Sequence, residues 1–345
     1  MALIVFEGFD AWAAGTFTTQ TTGQVGVNGL GAWSGSAGSL PAGTLGGKKV
    51  NCGNTANFFY NAGASFSAIV MGFRFSTTTL ATTQSVMQFY DSAGAVQCTL
   101  GFSATQKLVL FRGAAGGTVL GTGSVTIVSG SDYYIECKIE FSNSAVAEVR
   151  VNGVADITLS GVDTTNTANN NVQTVGNPGT AGGSTVTYDD WYMLDTTGSA
   201  PYNDYLGIVR VETLFPTSNN SVQWTPNAST NVSRVQETAM DTDTTYNSDS
   251  TVGHIDTFNH GSLSSTPATI FSVKVTSEAR KDDVVNRTYR NKIISNVTTS
   301  NGATYILPTV YRMIEDYFNN DPDTAAAWAS AAAVNGTKIG YELVS

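Results

Sequence analysis

Charged side chains are scarce in this chain, at 13% of its residues, and the acidic ones dominate to give a formal net charge of −10. Affinity for DNA or RNA is built from Lys and Arg neutralising phosphates. No run of five basic residues occurs, so nucleic acid is excluded as a partner. Histidine is limited to His254 and His260, six apart in a polar stretch with no Cys or Glu at metal spacing. That is a poor zinc site, and both read as loop or surface residues. The three cysteines, Cys52, Cys98 and Cys137, form no Cys-x-x-Cys pair. Cys98 and Cys137 lie in apolar runs and read as small buried hydrophobes rather than a disulfide framework. No stretch approaches the roughly 20 apolar residues of a membrane helix, so no membrane insertion is expected. Gly-x-Ser-x-Gly is absent, and Gly113–Gly117 precedes no helical pattern, so neither a nucleophile elbow nor a phosphate loop is indicated.

What is present is alternation. Tyr and Phe recur inside β-branched runs, and Gly, Ser, Thr and Asn punctuate them. From Ala64 to Phe75, Ser67, Ile69, Met71, Phe73 and Phe75 fall on one face, with Ala68, Val70, Gly72 and Arg74 opposite, which predicts a strand. Further strands are predicted at Leu3–Phe9, Ser85–Tyr90, Val96–Phe102, Leu108–Arg112, Val125–Val128, Tyr133–Phe141, Ala145–Val151, Val154–Leu159 and Tyr188–Asp195. Gly15–Gly47 shows little periodicity and reads as loops with short pairing segments. Asn152-Gly153 is the strongest hairpin signal, since a type I′ turn wants positive φ at both central residues. Strands every 8 to 12 residues or so indicate a sandwich. Pro201 and Gly207 bracket a linker, and Ile208–Leu214 begins a new alternation. Two domains follow, residues 1–200 and 201–345. In the second, strands are predicted at Ile270–Thr276, Tyr289–Val297, Ala303–Leu307, Val310–Phe318 and Ile339–Val344. One alanine-rich helix is predicted at Ala325–Ala333, capped by Asp323 or Thr324 and stopped by a left-handed residue at Asn335-Gly336.

Two resemblances add to this reading. Tyr133–Glu140 followed by Ala147–Val154, with an opening Phe6-Glu7-Gly8-Phe9-Asp10 and a closing Tyr188-Asp189-Asp190-Trp191-Tyr192 on neighbouring edge strands, resembles the concanavalin-A-like and laminin-G-like superfamily over residues 1–200. It implies an all-β jelly-roll sandwich. The second half resembles a C-terminal module of tailed-bacteriophage virion proteins. The residues that carry this are Asn203–Gly207 with Val209-Arg210-Val211, Trp224-Thr225-Pro226, Asp241–Tyr246, Ala279–Asp283, Asp321–Thr324 with Ala327-Trp328, and Gly340-Tyr341. Ala326 departs from the usual Gly, and Asn335-Gly336-Thr337 from the usual Asn-Ala-Leu. The resemblance implies a smaller β-rich domain with one short C-terminal helix. It also implies a structural protein displayed on the virion surface, in capsid decoration or in a tail or neck part, made in the host cytoplasm. Its partners would be other virion proteins and further copies of itself, a homo-oligomer.

Candidate sites are weighed against structural readings. Asp189 and Asp190 alternate across a strand and so cannot both line one pocket. Edge-strand charges outweigh a glycosidase pair, which needs two carboxyl groups facing each other across a bond. Asp241 and Asp243 could offer oxygen to calcium, although the loop lacks the EF-hand glycine and terminal Glu, and no other cofactor is expected. Trp33, Tyr60 and Trp224 are candidate glycan-contact aromatics, whereas Trp191 reads as core. The sequence therefore favours a non-enzymatic virion structural protein. A tail adhesin binding host surface glycan stands second and a glycan-degrading enzyme third.

Overall fold

A computed structural model of the chain describes residues 3–12, 32–36, 39–53, 56–80, 84–179, 185–239 and 241–345; much of the Gly15–Gly47 stretch lies outside them. The described residues divide into two compact units: residues 3–10 and those from 32 to Val211 form the first, and Ala11, Trp12 and those from Glu212 onward form the second. In the first, the predicted alternation becomes β1 (Leu3–Glu7), β2 (Ala32–Ser36), β3 (Val50–Cys52), β4 (Asn57–Phe66), β5 (Ala68–Thr77), β6 (Ser85–Tyr90) and β7 (Val96–Phe102). Then come β8 (Lys107–Arg112), β9 (Thr118–Thr126), β10 (Tyr133–Glu140), β11 (Ala145–Val151), β12 (Val154–Val162), β13 (Val172–Asn177) and β14 (Val186–Asp195). They form two antiparallel sheets among the described residues. The first runs β1-β14-β5-β10-β11-β12, with β3 also on β14; the second runs β2-β4-β13-β6-β7-β8-β9. The fold is an all-β sandwich of the jelly-roll kind.

Between the sheets lies an aromatic core. Trp33, Tyr60, Val175, Phe89 and Cys98 share one register row of the second sheet and are at most 2% exposed. Opposing rings from the first sheet meet them, with Trp33 and Trp191 5.2 Å apart edge-on and Phe58 and Tyr188 4.8 Å apart. Each large side chain so buried contributes roughly 1.5–3 kcal/mol. All three cysteines are free and buried. Asn152 and Gly153 have φ of 50° and 80°, as the β11–β12 turn requires. Ser67 is a bend where the chain passes from one sheet to the other, so Ala64–Phe66 belong to β4 rather than to β5.

Three expectations need correcting. β14 is not an edge strand: it pairs with both β1 and β5, and all of its residues are buried. Ile208–Leu214 forms no strand. Residues 204–211 instead make a strap on the outward side of the first sheet. Tyr205 lies under the Arg150 guanidinium at 3.7 Å. Leu206 N donates to Tyr192 Oη at 3.1 Å, Gly207 N to Glu136 Oε1 at 2.9 Å and Val211 N to Asp190 Oδ1 at 2.8 Å. These bonds keep the strap with the first unit, which includes residues up to Val211.

The third correction concerns the helix, in the second unit. That unit contains β15 (Pro216–Ser221), β16 (Thr225–Pro226), a 3-10 turn (Val232–Arg234), β17 (Asn247–Ser248), β18 (Ile255–His260), β19 (Val273–Ala279) and β20 (Thr288–Ser295). It continues with β21 (Thr298–Asn301), β22 (Tyr305–Ile306), β23 (Arg312–Phe318), α1 (Ala331–Asn335) and β24 (Lys338–Leu343). The helix is shorter than predicted and is capped by Ser330, whose side chain accepts from Ala333 N. Upstream, Ala325 takes φ of 56° and Asp321 N donates to Ala326 O at 2.8 Å, a reversal that leads to Trp328 in the core. The indole N–H of Trp328 donates to Phe318 O at 2.8 Å. Burying this ring outweighs the weak preference of the alanines for a longer helix. Gly336 ends the helix at φ of −84°, not in the left-handed region.

The sheet β15-β18-β24-β20-β21, with β22 on β20, stacks on the pair β19-β23. Along the inward face of β20, Tyr289 belongs to one apolar cluster and Ile293 to another, and Asn291 stands between them. Asn291 is fully buried. Its Nδ2 donates to Val275 O, Ile314 O and Asp316 Oδ2 at 3.3, 3.2 and 3.0 Å, while Oδ1 accepts from the Ser277 hydroxyl at 2.6 Å. Asn291→Ala should therefore cost the second unit roughly 2–4 kcal/mol, because it strands buried acceptors. Urea unfolding with amide exchange read in β18, β20 and β24 measures it; a loss below about 1 kcal/mol would contradict this role.

Candidate functional site

The predicted aromatics do not assemble. Trp33 and Tyr60 point inward, 2% and 1% exposed, because the β2–β4 register sets both on the core side. The Trp33 ring meets Phe9, Phe58, Tyr60 and Trp191, so neither residue is a glycan platform. Trp224 is in the second unit and half-buried. Its indole N–H donates to His254 O at 3.1 Å and its ring lies 4.9 Å from Tyr341 and 6.4 Å from Tyr289. Its ring packs on these two tyrosines, whereas Trp33 and Tyr60 lie in the first unit. Trp191 is core, fully buried.

The calcium candidates each have partners of their own. Asp243 accepts from Arg280 Nη2 and from the Tyr311 hydroxyl, each at 2.8 Å, and these bonds hold its carboxyl below the usual range. Asp241 accepts from Thr245, from N at 3.1 Å and from Oγ1 at 2.9 Å. Among the described residues no three His, Cys, Asp or Glu side chains are placed to hold a metal ion. The two carboxylates serve as turn and ion-pair groups.

Asp189 and Asp190 sit where β14 bulges against β5. Asp190 takes φ of 50°, which breaks the simple alternation. Its carboxylate accepts from Arg74 Nε and from Val211 N, both at 2.8 Å, and its own N–H donates to Asp189 Oδ1 at 2.8 Å. Burial, and then the neighbouring Asp190, push Asp189 up to about 8. Burial raises Asp190 too, against the opposing pull of the Val211 N–H and Arg74. Two adjacent carboxyl groups joined through their own backbone inside a sheet do not face each other across a scissile bond. The folded protein holds a proton on Asp189 that the unfolded chain releases between its ordinary value of 3.8 and about 8. Stability is then greatest below that window and falls as pH rises through it. Asp189→Asn should flatten this slope in thermal melts taken across the same range; an unchanged slope would assign the proton elsewhere.

A surface better suited to a ligand lies on the outward side of the second sheet. Ser34, Phe59, Gly176, Gln88, Thr99 and Phe111 occupy one register row across β2, β4, β13, β6, β7 and β8. Asn61, Thr174 and Tyr90 form the row beside it. Register partners point to the same face. Gly176 is required here: a Cβ would come 2.5 Å from the Phe59 ring. The ring consequently lies across the strand toward Tyr90, with centroids 5.6 Å apart, edge to face. The Tyr90 hydroxyl donates to Gln88 Oε1 at 2.5 Å, and Gln88 Nε2 donates to Ser85 Oγ at 3.2 Å. Burial pushes the Tyr90 phenol up to about 12. Ser34 and Asn61 are exposed, Phe59, Tyr90 and Thr174 are half-buried, and Gln88 and Phe111 lie deeper. Rings, amides and hydroxyls in this arrangement can stack on a sugar ring and hydrogen-bond its hydroxyls. The sequence reading missed these residues. The signal available was the run Phe58-Phe59-Tyr60, since three consecutive rings on a strand cannot all face the core.

No protein-family profile matches the sequence, and no curated protein matches it. Solved structures similar in shape include an alginate lyase, Aly36B, with TM-score 0.33 and 12% identity, covering 55% of this chain and 95% of the lyase. The carbohydrate-binding module CBM66 from Bacillus subtilis gives TM-score 0.34 and 12% identity over 47% of this chain and 95% of the module. A carbohydrate esterase of the Shiga toxin-encoding bacteriophage phi24B gives 0.35 and 15% over 48% of this chain and 90% of the esterase. These neighbours mix binding modules with enzymes, and at such scores the reading of this chain rests on its own geometry.

Proposed function

We propose that the chain is a carbohydrate-recognition component of a tailed-phage virion, displayed on the particle surface. The first unit binds glycan through the outward face of its second sheet. The second unit serves the protein–protein contacts that hold it among other virion proteins and further copies of itself. The observation that supports glycan binding is the Phe59–Tyr90 pair: two half-buried rings beside the Gln88 amide and the Thr174 hydroxyl, on a face turned away from the core. Binding without turnover is favoured by the adjacent acids Asp189 and Asp190, which are committed to Arg74, Val211 and each other inside the opposite sheet. The virion assignment is supported by the resemblance carried by residues 203–341.

Two measurements test this. Phe59→Ala and Tyr90→Ala should weaken retention on polysaccharide roughly 10- to 100-fold, as loss of a central ring does, with circular dichroism unchanged. Equal retention by wild type and both variants would remove the site. Purified particles should contain the chain in fixed copy number by quantitative mass spectrometry, and its absence from them would overturn the virion assignment.

A further inference from the structure

We infer that the face bearing Phe59 and Tyr90 takes an uncharged polysaccharide segment, held by ring stacking and amide and hydroxyl hydrogen bonds with no ionic contribution. This rests on the glycan-binding reading and narrows its ligand class. Neither row of that face carries a formal charge: its polar side chains are Ser34, Asn61, Gln88, Thr99, Thr174 and the Tyr90 phenol. The phenol does not supply a charge either, since burial keeps it protonated to about pH 12. Along β8 the outward positions alternate Lys107, Val109, Phe111, which sets the one cation of that strand's outward face at its far end, four residues from Phe111. Arg112, next along, is paired with Asp163 at 2.6 Å.

Anionic glycans are bound by cations that meet carboxylate or sulfate groups, ideally in the bidentate geometry of Arg. The described residues of these two rows offer none, and a chain of net charge −10 repels a polyanion at long range. Asn61 is exposed and carries an amide with both donor and acceptor atoms, while Gln88, buried at 6% exposure, holds the Tyr90 hydroxyl. A donor beside an acceptor suits neighbouring sugar hydroxyls, which both give and accept. A carboxylate only accepts.

The test is calorimetric titration of the full chain with a panel of neutral polysaccharides and a panel of polyuronates and sulfated glycans. Salt is varied from about 0.05 to 0.5 M, a range over which ionic contacts are strongly screened. The expected result is binding confined to the neutral panel, with affinity changing less than about two-fold across the salt range. Tyr90→Ala should reduce it at least about ten-fold, Tyr90→Phe, which keeps the ring, should reduce it less, and Lys107→Gln should leave it unchanged. Salt-sensitive binding of a polyanion that Tyr90→Ala abolishes would overturn the neutral-ligand inference and leave the glycan-binding reading standing. Binding of neither panel would overturn both.

Discussion

Glu136 is a carboxylate with no exposure to water, on the outward side of a sheet whose other side is the aromatic core. Much of the first unit follows from what that requires. A buried charge left alone costs several kcal/mol, and hydrogen bonds to a charged group recover roughly 1.5–3 kcal/mol each. Glu136 Oε1 accepts the Tyr192 hydroxyl at 2.6 Å and the Gly207 amide at 2.9 Å, while Oε2 finds no hydrogen-bond partner among the described residues. The compensation therefore rests on keeping the strap in place. Tyr192 can reach Glu136 only because Gly72 lies beneath it; a Cβ there would come 2.3 Å from the ring. The strap in turn supplies the Val211 amide to Asp190, so two buried acids and one extended segment are solved together.

Sealing one side of the sandwich decides where a ligand can go. The outward surface of β14, β5, β10 and β11 carries the strap and charged groups that already have partners: Arg74 with Asp190, Arg150 with Glu148, Lys138 with Asp204. Among the described residues, the part of the second sheet's outward surface around Phe59, Asn61 and Tyr90 carries no comparable strap. There the polar side chains Ser34, Asn61 and Thr174 are neutral, and the Phe59 and Tyr90 rings are half-buried, whereas Gln88, Thr99 and Phe111 are buried. The acidic pair and the aromatic pair thus lie on opposite sheets, which separates the groups that could do acid–base chemistry from the surface that could hold a sugar. That separation is the physical ground for the binding proposed at this face.

Much of the fold was legible because it depends on period-two patterning and turn chemistry. Asn152-Gly153, the alternation of Ile69 to Phe75, and the runs of β10 and β11 read directly as strands and a hairpin. What was not legible depends on contacts remote in sequence. Trp33 and Tyr60 are core because β2 pairs with β4 in a particular register; one residue of slip would have turned both outward. Asp190 escapes alternation through a bulge that its neighbours do not announce. The predicted helix failed because Trp328 has a better use in the core than the alanine run has in helix. Asp241 and Asp243 looked like ligand positions because sequence shows oxygen atoms but not the Arg280, Tyr311 and Thr245 groups already bound to them.

The second unit meets the same requirement in a different way. Its apolar clusters are small, one around Ile293 and Trp328 and one around Tyr289 and Ile314, and apolar contact alone tolerates sliding and repacking. Asn291 removes that freedom, since its amide binds one carbonyl on β19 and one on β23 and so fixes the position of the two-stranded sheet over β20. On β18, Asp256 does the equivalent for the chain entering β16, accepting from Gln223 N, Trp224 N, Asn231 Nδ2 and the Tyr341 hydroxyl. Any shift of either strand would leave several buried polar groups unmatched at once. A unit that specifies its packing by hydrogen bonds keeps one defined arrangement even with a modest core.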